Sequence, residues 1–313
     1  MPSPVLPCVA DANAPGAMRL ADALFAPALT VLSQRHAVSL AHATRAATGS
    51  SPVFLTDTLA VKLVPPQWCA ELEREVLAMA RVSGRLPVRT PDVVATGELD
   101  GWRYLVSERL PGVSAREVHT TLNDRERVAL GRAVGEVLAA LHRVPCDDLP
   151  ALAVDWNAFA QERAGACVDL QLRHGFEAHA LASWPMLLAE AAPLVPDARR
   201  ALLHADLHYE HVLLEQRGGA WTLTGVLDFG DAVRGHPEYD LITPVFLVVG
   251  AHREALRALF EAAGFRCDER TSRRMMAWSV MHRFNALTRY LPTPRSPDAL
   301  TILRERYWPV LDG

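Results

Sequence analysis

Hydrophobic periodicity changes at Pro111-Gly112. Before this dipeptide, short β-rich runs are separated by turn residues, and residues 67–82 carry apolar side chains at helical spacing. After it, most apolar residues recur at the spacing of a helix face. The pattern predicts an α+β protein in two parts: a small antiparallel sheet with one helix over residues 1–110, and a mainly helical part over residues 111–313.

Local turn and cap signals support this division. Asp100-Gly101 and Gly218-Gly219 each lie between two strand-like runs. Such dipeptides favour the backbone of a tight hairpin turn, so we expect a hairpin at each position. Asn123 and Asp124 precede a run of apolar residues at helical spacing, and a helix is expected to begin there.

Composition excludes several classes of partner. The net charge of -4 offers no broad basic field, so we expect no nucleic-acid partner. The five cysteines are scattered and odd in number, which argues against a disulfide framework and a zinc site and favours a cytoplasmic location. The longest apolar stretch is too short to cross a bilayer, so no membrane anchor is expected. A monomer is expected.

Lysine is used only once. Of the 32 Lys and Arg residues, Lys62 in the strand-like run LAVKLV is the sole lysine. A lone lysine at the end of a strand is most often a solvated edge residue. Lys62 therefore indicates a functional site only if other reactive residues follow it in the right order along the chain.

Such residues occur between residues 202 and 235. The chain reads there as a strand end, a polar loop with His204-Ala205-Asp206, a hairpin, and an acidic loop with Asp228-Phe229-Gly230. Two carboxylates at the ends of neighbouring strands suit a proton acceptor beside a divalent cation. This order follows the template of the protein kinases, in which a strand lysine contacts the nucleotide phosphates.

A specific resemblance follows from these motifs. The runs LLHADLHYEHVL and TGVLDFGDAVRGHPEYDL resemble the aminoglycoside phosphotransferase family, small-molecule kinases with the protein-kinase fold, and YLVSERLPG resembles the hinge of that family. The N-terminal runs and LHRVP are most similar to the hygromycin B phosphotransferase branch. The resemblance implies a bilobal fold, ATP with Mg²⁺ or Mn²⁺, and a small-molecule acceptor.

The resemblance also implies roles at the reaction centre. Asp206 would be the catalytic base for the acceptor hydroxyl, and His204 would brace its loop. Asp228 would bind the metal. His208 and Asp231 would lie near the acceptor, with a turn cap as the alternative for Asp231.

Further positions would hold the nucleotide. Lys62 would contact the phosphates with Glu75 as its partner, although Glu71 is a rival for that place. Ser51 lies in the loop expected to cover the nucleotide. The backbone of the hinge would hold the adenine, and its residues are Ser107, Glu108, Arg109 and Leu110.

One position departs from the family pattern. His211 stands where an asparagine usually serves as second metal ligand. An imidazole nitrogen suits Mn²⁺ or Zn²⁺ better than Mg²⁺, so either His211 binds a softer metal or the site holds a single metal beside a pH-sensitive neighbour.

The sequence is compatible with more than one acceptor and more than one activity. A hygromycin-type aminocyclitol is the first expectation, with another hydroxyl metabolite or antibiotic next, because residues 251–313 hold eleven Arg against seven Asp and Glu. A pseudokinase that binds ATP without transfer is a further alternative, motivated by His211. A protein kinase is disfavoured because no A-P-E segment follows Asp228.

Overall fold

The computed structural model describes residues 4–8, 20–191, 200–284, 287, 290–291 and 299–311. The chain forms two compact units. The first contains residues 1–84, 89–111 and 226–231, and the second contains residues 85–88, 112–225 and 232–313. The short segment 226–231 is therefore part of the first unit although it follows more than a hundred residues of the second.

The first unit is built on a five-stranded antiparallel sheet in the order β1-β2-β3-β5-β4. Its strands are β1 (Thr44–Arg45), β2 (Val53–Leu55), β3 (Leu59–Val64), β4 (Val93–Leu99) and β5 (Trp102–Glu108). Asp100 and Gly101 connect β4 to β5 with φ of +52° and +81°. Both lie in the left-handed region that a two-residue hairpin turn needs, which confirms the predicted turn.

Two helices accompany this sheet, α1 (Ala26–His36) and α2 (Cys69–Val82). Phe25, just before α1, packs against Phe54 and Trp102 with ring centroids 5.4 and 5.9 Å apart. These buried rings form part of the hydrophobic core of the unit. Burial of such large aromatic surfaces stabilises the sheet.

The second unit contains two small sheets. A three-stranded sheet has the order β6-β8-β9, and a two-stranded sheet pairs β7 with β10. The strands are β6 (Val113–Ser114), β7 (Ala201–Leu203), β8 (Val212–Arg217), β9 (Ala220–Val226) and β10 (Val233–Gly235). Gly218 and Gly219 join β8 to β9 with φ of +59° and +82°, as the sequence predicts for a hairpin there.

Helices are the main secondary structure of the second unit, which confirms the predicted α+β class. They are α3 (Ala115–Val118), α4 (Asp124–Leu141), α5 (Trp156–Arg173), α6 (Trp184–Ala191), α7 (Ile242–Pro244), α8 (Arg253–Ala263), α9 (Glu269–Met281) and α10 (Ala299–Ile302). Asn123 caps α4 as predicted: its side chain accepts from the amide of Glu126, and the Glu126 carboxylate accepts from the amide of Asn123. Within the described residues, none of the helices combines the length and apolar character that a bilayer crossing requires.

Candidate active site

The first unit holds Lys62 between two carboxylates. Its Nζ lies 2.7 Å from Glu75 Oε2 and 3.3 Å from Asp228 Oδ1. Lys62 alternates along β3 with the fully buried Val61 and Leu63, so its side chain leaves the opposite face of the strand. The only lysine of the chain thus contacts Glu75, its predicted partner, and also Asp228, the predicted metal ligand.

Helix α2 supplies Glu75 from its buried face. Glu75 lies three residues after Leu72 and four before Met79, and all three side chains are buried. Glu71, the rival partner, is only half-buried. The structure therefore places Glu75, and not Glu71, in contact with Lys62.

Burial and charge shape the protonation of this group. Burial works against the Lys62 ammonium, yet the carboxylates of Asp228 and Glu75 raise its pKa above the usual range. Burial raises the pKa of Glu75 to about 7, although the Lys62 charge opposes the rise. Lys62 consequently keeps its positive charge at neutral pH.

The acidic loop presents Asp228 on a strained backbone. Asp228 has a φ of +59°, and its Oδ1 accepts from the amide of Gly230 at 3.2 Å. A Cβ at Gly230 would lie 3.1 Å from that oxygen and 3.7 Å from Lys62 Nζ. A glycine at this position therefore lets the loop approach the lysine closely. Asp231 is half-buried nearby and contributes to the raised pKa of Glu75.

The predicted hinge lies at the end of β5. Ser107 and Leu110 are buried, and Glu108 is ion-paired with Arg89. The amide of Glu108 donates to the carbonyl of Asp92, and that of Arg109 donates to Thr58. These two amides are thus engaged within the first unit, so an adenine would be held by other backbone groups of the hinge. Ser51, in the predicted nucleotide-covering loop, is buried.

In the second unit, the buried Asp240 organises the loop that carries Asp206. Its Oδ2 accepts from the amide of His204 at 3.0 Å and its Oδ1 from the amide of Ala205 at 2.7 Å. His142 Nε2 contacts the same carboxylate at 3.0 Å. Ala205 has a φ of +63°, a conformation that costs a non-glycine residue energy. Asp240 therefore stabilises a strained turn directly before Asp206.

The charge of Asp240 follows from its partners. Burial favours the neutral acid, but the hydrogen bonds from His142 and from the backbone hold the pKa of Asp240 below its usual range. Asp240 accordingly stays ionised and acts as a structural carboxylate. His204 is fully buried, and its Nδ1 lies 3.4 Å from the amide of Asp206.

Asp206, His208 and His211 form a cluster whose potential ligand atoms all lie within 4.8 Å of one another. His211 Nδ1 lies 2.8 Å from the carbonyl oxygen of Asp206. A carbonyl only accepts, so Nδ1 carries the proton and Nε2 presents the lone pair that a metal needs.

His208 has the opposite tautomer. Its Nδ1 accepts from the amide of Glu210 at 3.2 Å, so the neutral ring carries its proton on Nε2, which lies 3.7 Å from Asp206 Oδ2. In this tautomer Nε2 of His208 carries a proton and offers no lone pair to a metal. Of the two histidines, His211 is the one whose donor atom fits a cation.

Sequence reasoning missed two histidines of the second unit. His142 contacts Asp240 across 98 positions, and no local pattern signals that pair. His282 lies with Asp206 in the lining of a cavity. A single histidine on a helical run carries no signal of its own, so only the fold reveals its neighbours.

Comparisons with known proteins identify the family and the fold of this chain. The sequence model of the phosphotransferase enzyme family (APH) matches residues 42–278. Aminoglycoside 3'-phosphotransferase of Streptomyces fradiae is 33% identical over 147 residues, which are 46% of this chain and 52% of that protein. The match thus spans about half the length of that relative.

Solved structures share the fold. The GDP complex of wild-type aminoglycoside 2'-phosphotransferase-IIIa superposes with a TM-score of 0.69 at 16% identity, over 82% of this chain and 88% of the other. The streptomycin–ATP ternary complex of APH(2")-IIa superposes with a TM-score of 0.60 at 17% identity, over 84% and 89%. The predicted protein-kinase-like fold is thereby confirmed.

Proposed function

The chain belongs to the phosphotransferase enzyme family, and from this premise we propose that it transfers the γ-phosphoryl group of ATP to a hydroxyl group of a small molecule. The relatives named above are aminoglycoside phosphotransferases, so an aminoglycoside is the first acceptor class to consider. Within that class we propose a hygromycin-type aminocyclitol, on the resemblance of the N-terminal runs and LHRVP.

The contact of Lys62 with both Glu75 and Asp228 carries this proposal. A permanently charged ammonium, half-buried and held by two acids, is a preorganised partner for phosphate oxygens. Phosphoryl transfer depends mainly on positioning and on neutralising phosphate charge, because little covalent chemistry falls to the protein. Lys62 supplies that charge without a reorganisation at the moment of reaction.

Asp206 is the proposed base. As the acceptor oxygen forms its bond to the γ-phosphorus, the bond from phosphorus to the β,γ-bridging oxygen breaks, and ADP leaves. The hydroxyl proton passes to the Asp206 carboxylate. His208 Nε2 and the Asp240-supported turn would hold that carboxylate in place.

A divalent cation fits the donor groups present. Asp228 offers a carboxylate oxygen, which is a hard donor, and His211 offers an imidazole nitrogen, which is a softer one. When bound, the cation supplies positive charge against the phosphate oxygens. The nitrogen donor leads us to propose that Mn²⁺ supports activity better than Mg²⁺.

A nucleotide-binding protein without transfer activity is the second candidate, because His211 replaces the usual asparagine. ADP release by the purified chain, with hygromycin B and with either metal, separates the two. Release that hygromycin B stimulates, and that is lost in Asp206→Asn, supports the kinase. ATP binding without acceptor-stimulated release, across metals and aminoglycosides, supports the alternative.

A further inference from the structure

The loop that follows Asp206 ends in a tight turn over residues 208–211. The amide of His211 donates to the carbonyl of His208 at 2.9 Å, so Tyr209 and Glu210 are the two central residues of this turn. The rings of His208 and His211, at its two ends, pack with their centroids 3.9 Å apart. The conformation of the 208–211 turn therefore sets the places of both histidines.

Arg116 of α3 contacts both central residues of the turn. Its amide donates to the carbonyl of Tyr209 at 3.2 Å. Its guanidinium is ion-paired with the carboxylate of Glu210 and lies 5.8 Å from the ring centroid of Tyr209. A hydrogen bond, an ion pair and a cation–π contact thus join one arginine to the turn.

The position of Arg116 is set by the backbone around it. Strand β6 ends directly before α3 and pairs with β8, where Ser114 lies opposite Leu213. The amide of Ser114 donates to Glu117 Oε1 at 3.0 Å in a capping box at the start of α3. None of these contacts uses the side chain of Arg116, so a substitution there should leave α3 in place.

Glu210 connects the ion pair to His208. Its amide donates to His208 Nδ1 at 3.2 Å, which leaves the proton of the neutral ring on Nε2, 3.7 Å from Asp206 Oδ2. In this tautomer the ring turns an N–H donor toward the carboxylate. In the other tautomer it would turn a lone pair toward the carboxylate, and two electron-rich groups would face each other. The tautomer of His208 thus decides whether its ring attracts or repels Asp206.

We infer that Arg116 is a positioning residue for the reaction: by holding Glu210, it keeps the amide of Glu210 on His208 Nδ1 and the Nε2 proton of His208 toward Asp206. This inference rests on the proposed function, which makes Asp206 the base. A partly exposed ion pair contributes little to global stability. Removal of the pair should therefore alter the turn and leave the fold intact.

The tautomer of His208 can be measured in the full chain without nucleotide. Long-range proton–nitrogen correlation spectra at about pH 8, where an ordinary histidine is neutral, show which ring nitrogen carries the proton. The His208 signals are assigned by their absence in His208→Asn. The wild type should show two widely separated nitrogen shifts. In Arg116→Gln and in Glu210→Gln the two shifts should converge, because a loosened turn lets both tautomers form.

A similar ion pair elsewhere in the second unit supplies the control. Arg217 pairs with Glu215, and their side chains are 64% and 28% exposed, against 54% and 23% for Arg116 and Glu210. Arg217→Gln removes the same charge at a comparable exposure. It should leave both nitrogen shifts of His208 as they are in the wild type.

Kinetics with a phosphorylated acceptor test the consequence for Asp206. Arg116→Gln should lower kcat about tenfold or more, because a misplaced base loses its alignment with the acceptor hydroxyl. The KM for ATP should change about twofold at most, since the nucleotide contacts remain. The midpoint of urea unfolding should equal that of the wild type.

Four outcomes overturn the inference: unchanged His208 shifts in Arg116→Gln, unchanged shifts in Glu210→Gln, the same convergence in Arg217→Gln, or an unchanged kcat where the shifts converge. A chain that transfers no phosphoryl group to any acceptor would contradict the proposed function. The spectra need no transfer, so they would still decide whether Arg116 sets the tautomer of His208.

Discussion

At the scale of single residues, the site depends on the shape of charged groups as much as on their sign. Lys62 Nζ lies within 3.3 Å of two carboxylate oxygens, and the Cα of Gly230 faces the same point. An ammonium is a compact point charge that fits such a space, whereas a guanidinium is a wide planar fork. This difference in shape explains why position 62 is a lysine in a chain that otherwise uses arginine.

Lys62→Arg tests that account. The wider group should displace Asp228 or Glu75 and weaken ATP binding about tenfold, a loss near 1.4 kcal/mol. Nucleotide titration by calorimetry measures it. Arg103→Lys, a change at a partly exposed residue of the neighbouring strand β5 that pairs with Glu73, is the control and should bind ATP like the wild type. Equal affinities in Lys62→Arg and wild type would show that only the charge matters.

His211→Asn tests the metal ligand. An amide oxygen is a harder donor than an imidazole nitrogen, so the ratio of Mn²⁺-supported to Mg²⁺-supported turnover should fall about tenfold. Turnover measured over both metal concentrations gives the ratio. His208→Asn is the comparison, because the tautomer of His208 directs an N–H and no lone pair at this place; its metal ratio should not change. An unchanged ratio in His211→Asn would remove that ligand.

At the scale of elements, close contact between α4 and α8 shapes the helical unit. Gly131 and Gly135 lie one turn apart on α4, and a Cβ at either position would stand 2.4 Å from a carbonyl oxygen of α8, that of Ala255 or Leu259. No real side chain tolerates such a distance to backbone atoms. Glycine is therefore required here although it disfavours helices.

Gly131→Ala should consequently lower the free energy of unfolding by about 1–3 kcal/mol, because the helices must separate. Gly165→Ala is the matched control on α5, where nothing lies within 4 Å of the added Cβ. It should instead raise stability by about 0.5–1 kcal/mol through helix propensity. Urea unfolding of both variants measures the difference, and stabilisation by Gly131→Ala would contradict the close packing.

At the scale of the whole molecule, buried titratable groups couple stability to pH in both directions. Burial lowers the pKa of His236 to about 4 and that of His282 to about 3. Because the unfolded residues titrate near 6.5, the unfolded chain binds more protons below that pH, and stability falls as pH falls. Glu75 acts oppositely: its raised pKa makes the folded state bind more protons between 4.5 and about 7.

The difference between wild type and His282→Gln isolates one histidine from these opposing effects. At about pH 7.5 the variant should be less stable, because it loses the packing of the ring. Between about pH 7.5 and 5 that deficit should shrink by about 2 kcal/mol, since only the wild type pays to keep a buried imidazole neutral. Urea unfolding at both pH values gives the deficit; a constant deficit would mean that His282 titrates normally.

Local features of this protein were determined by the sequence itself. The hairpin turn at Asp100-Gly101 and the cap at Asn123 depend on the backbone preferences of a few neighbouring residues, so their residue types sufficed to predict them. The change of periodicity predicted an α+β fold for the same reason. The motifs around Asp206 and Asp228 identified the family through residue types at short, fixed spacings.

Long-range pairing was decided by the tertiary structure alone. Glu71 and Glu75 are both acids of one helix, and only the packing of α2 turns Glu75 toward Lys62. His142 and Asp240 are 98 positions apart, and the fold brings them together. The cavity wall around His282 likewise joins separate helices. Bringing distant residues together costs conformational entropy, which the burial of whole helices and strands offsets. No short stretch of sequence contains that free energy.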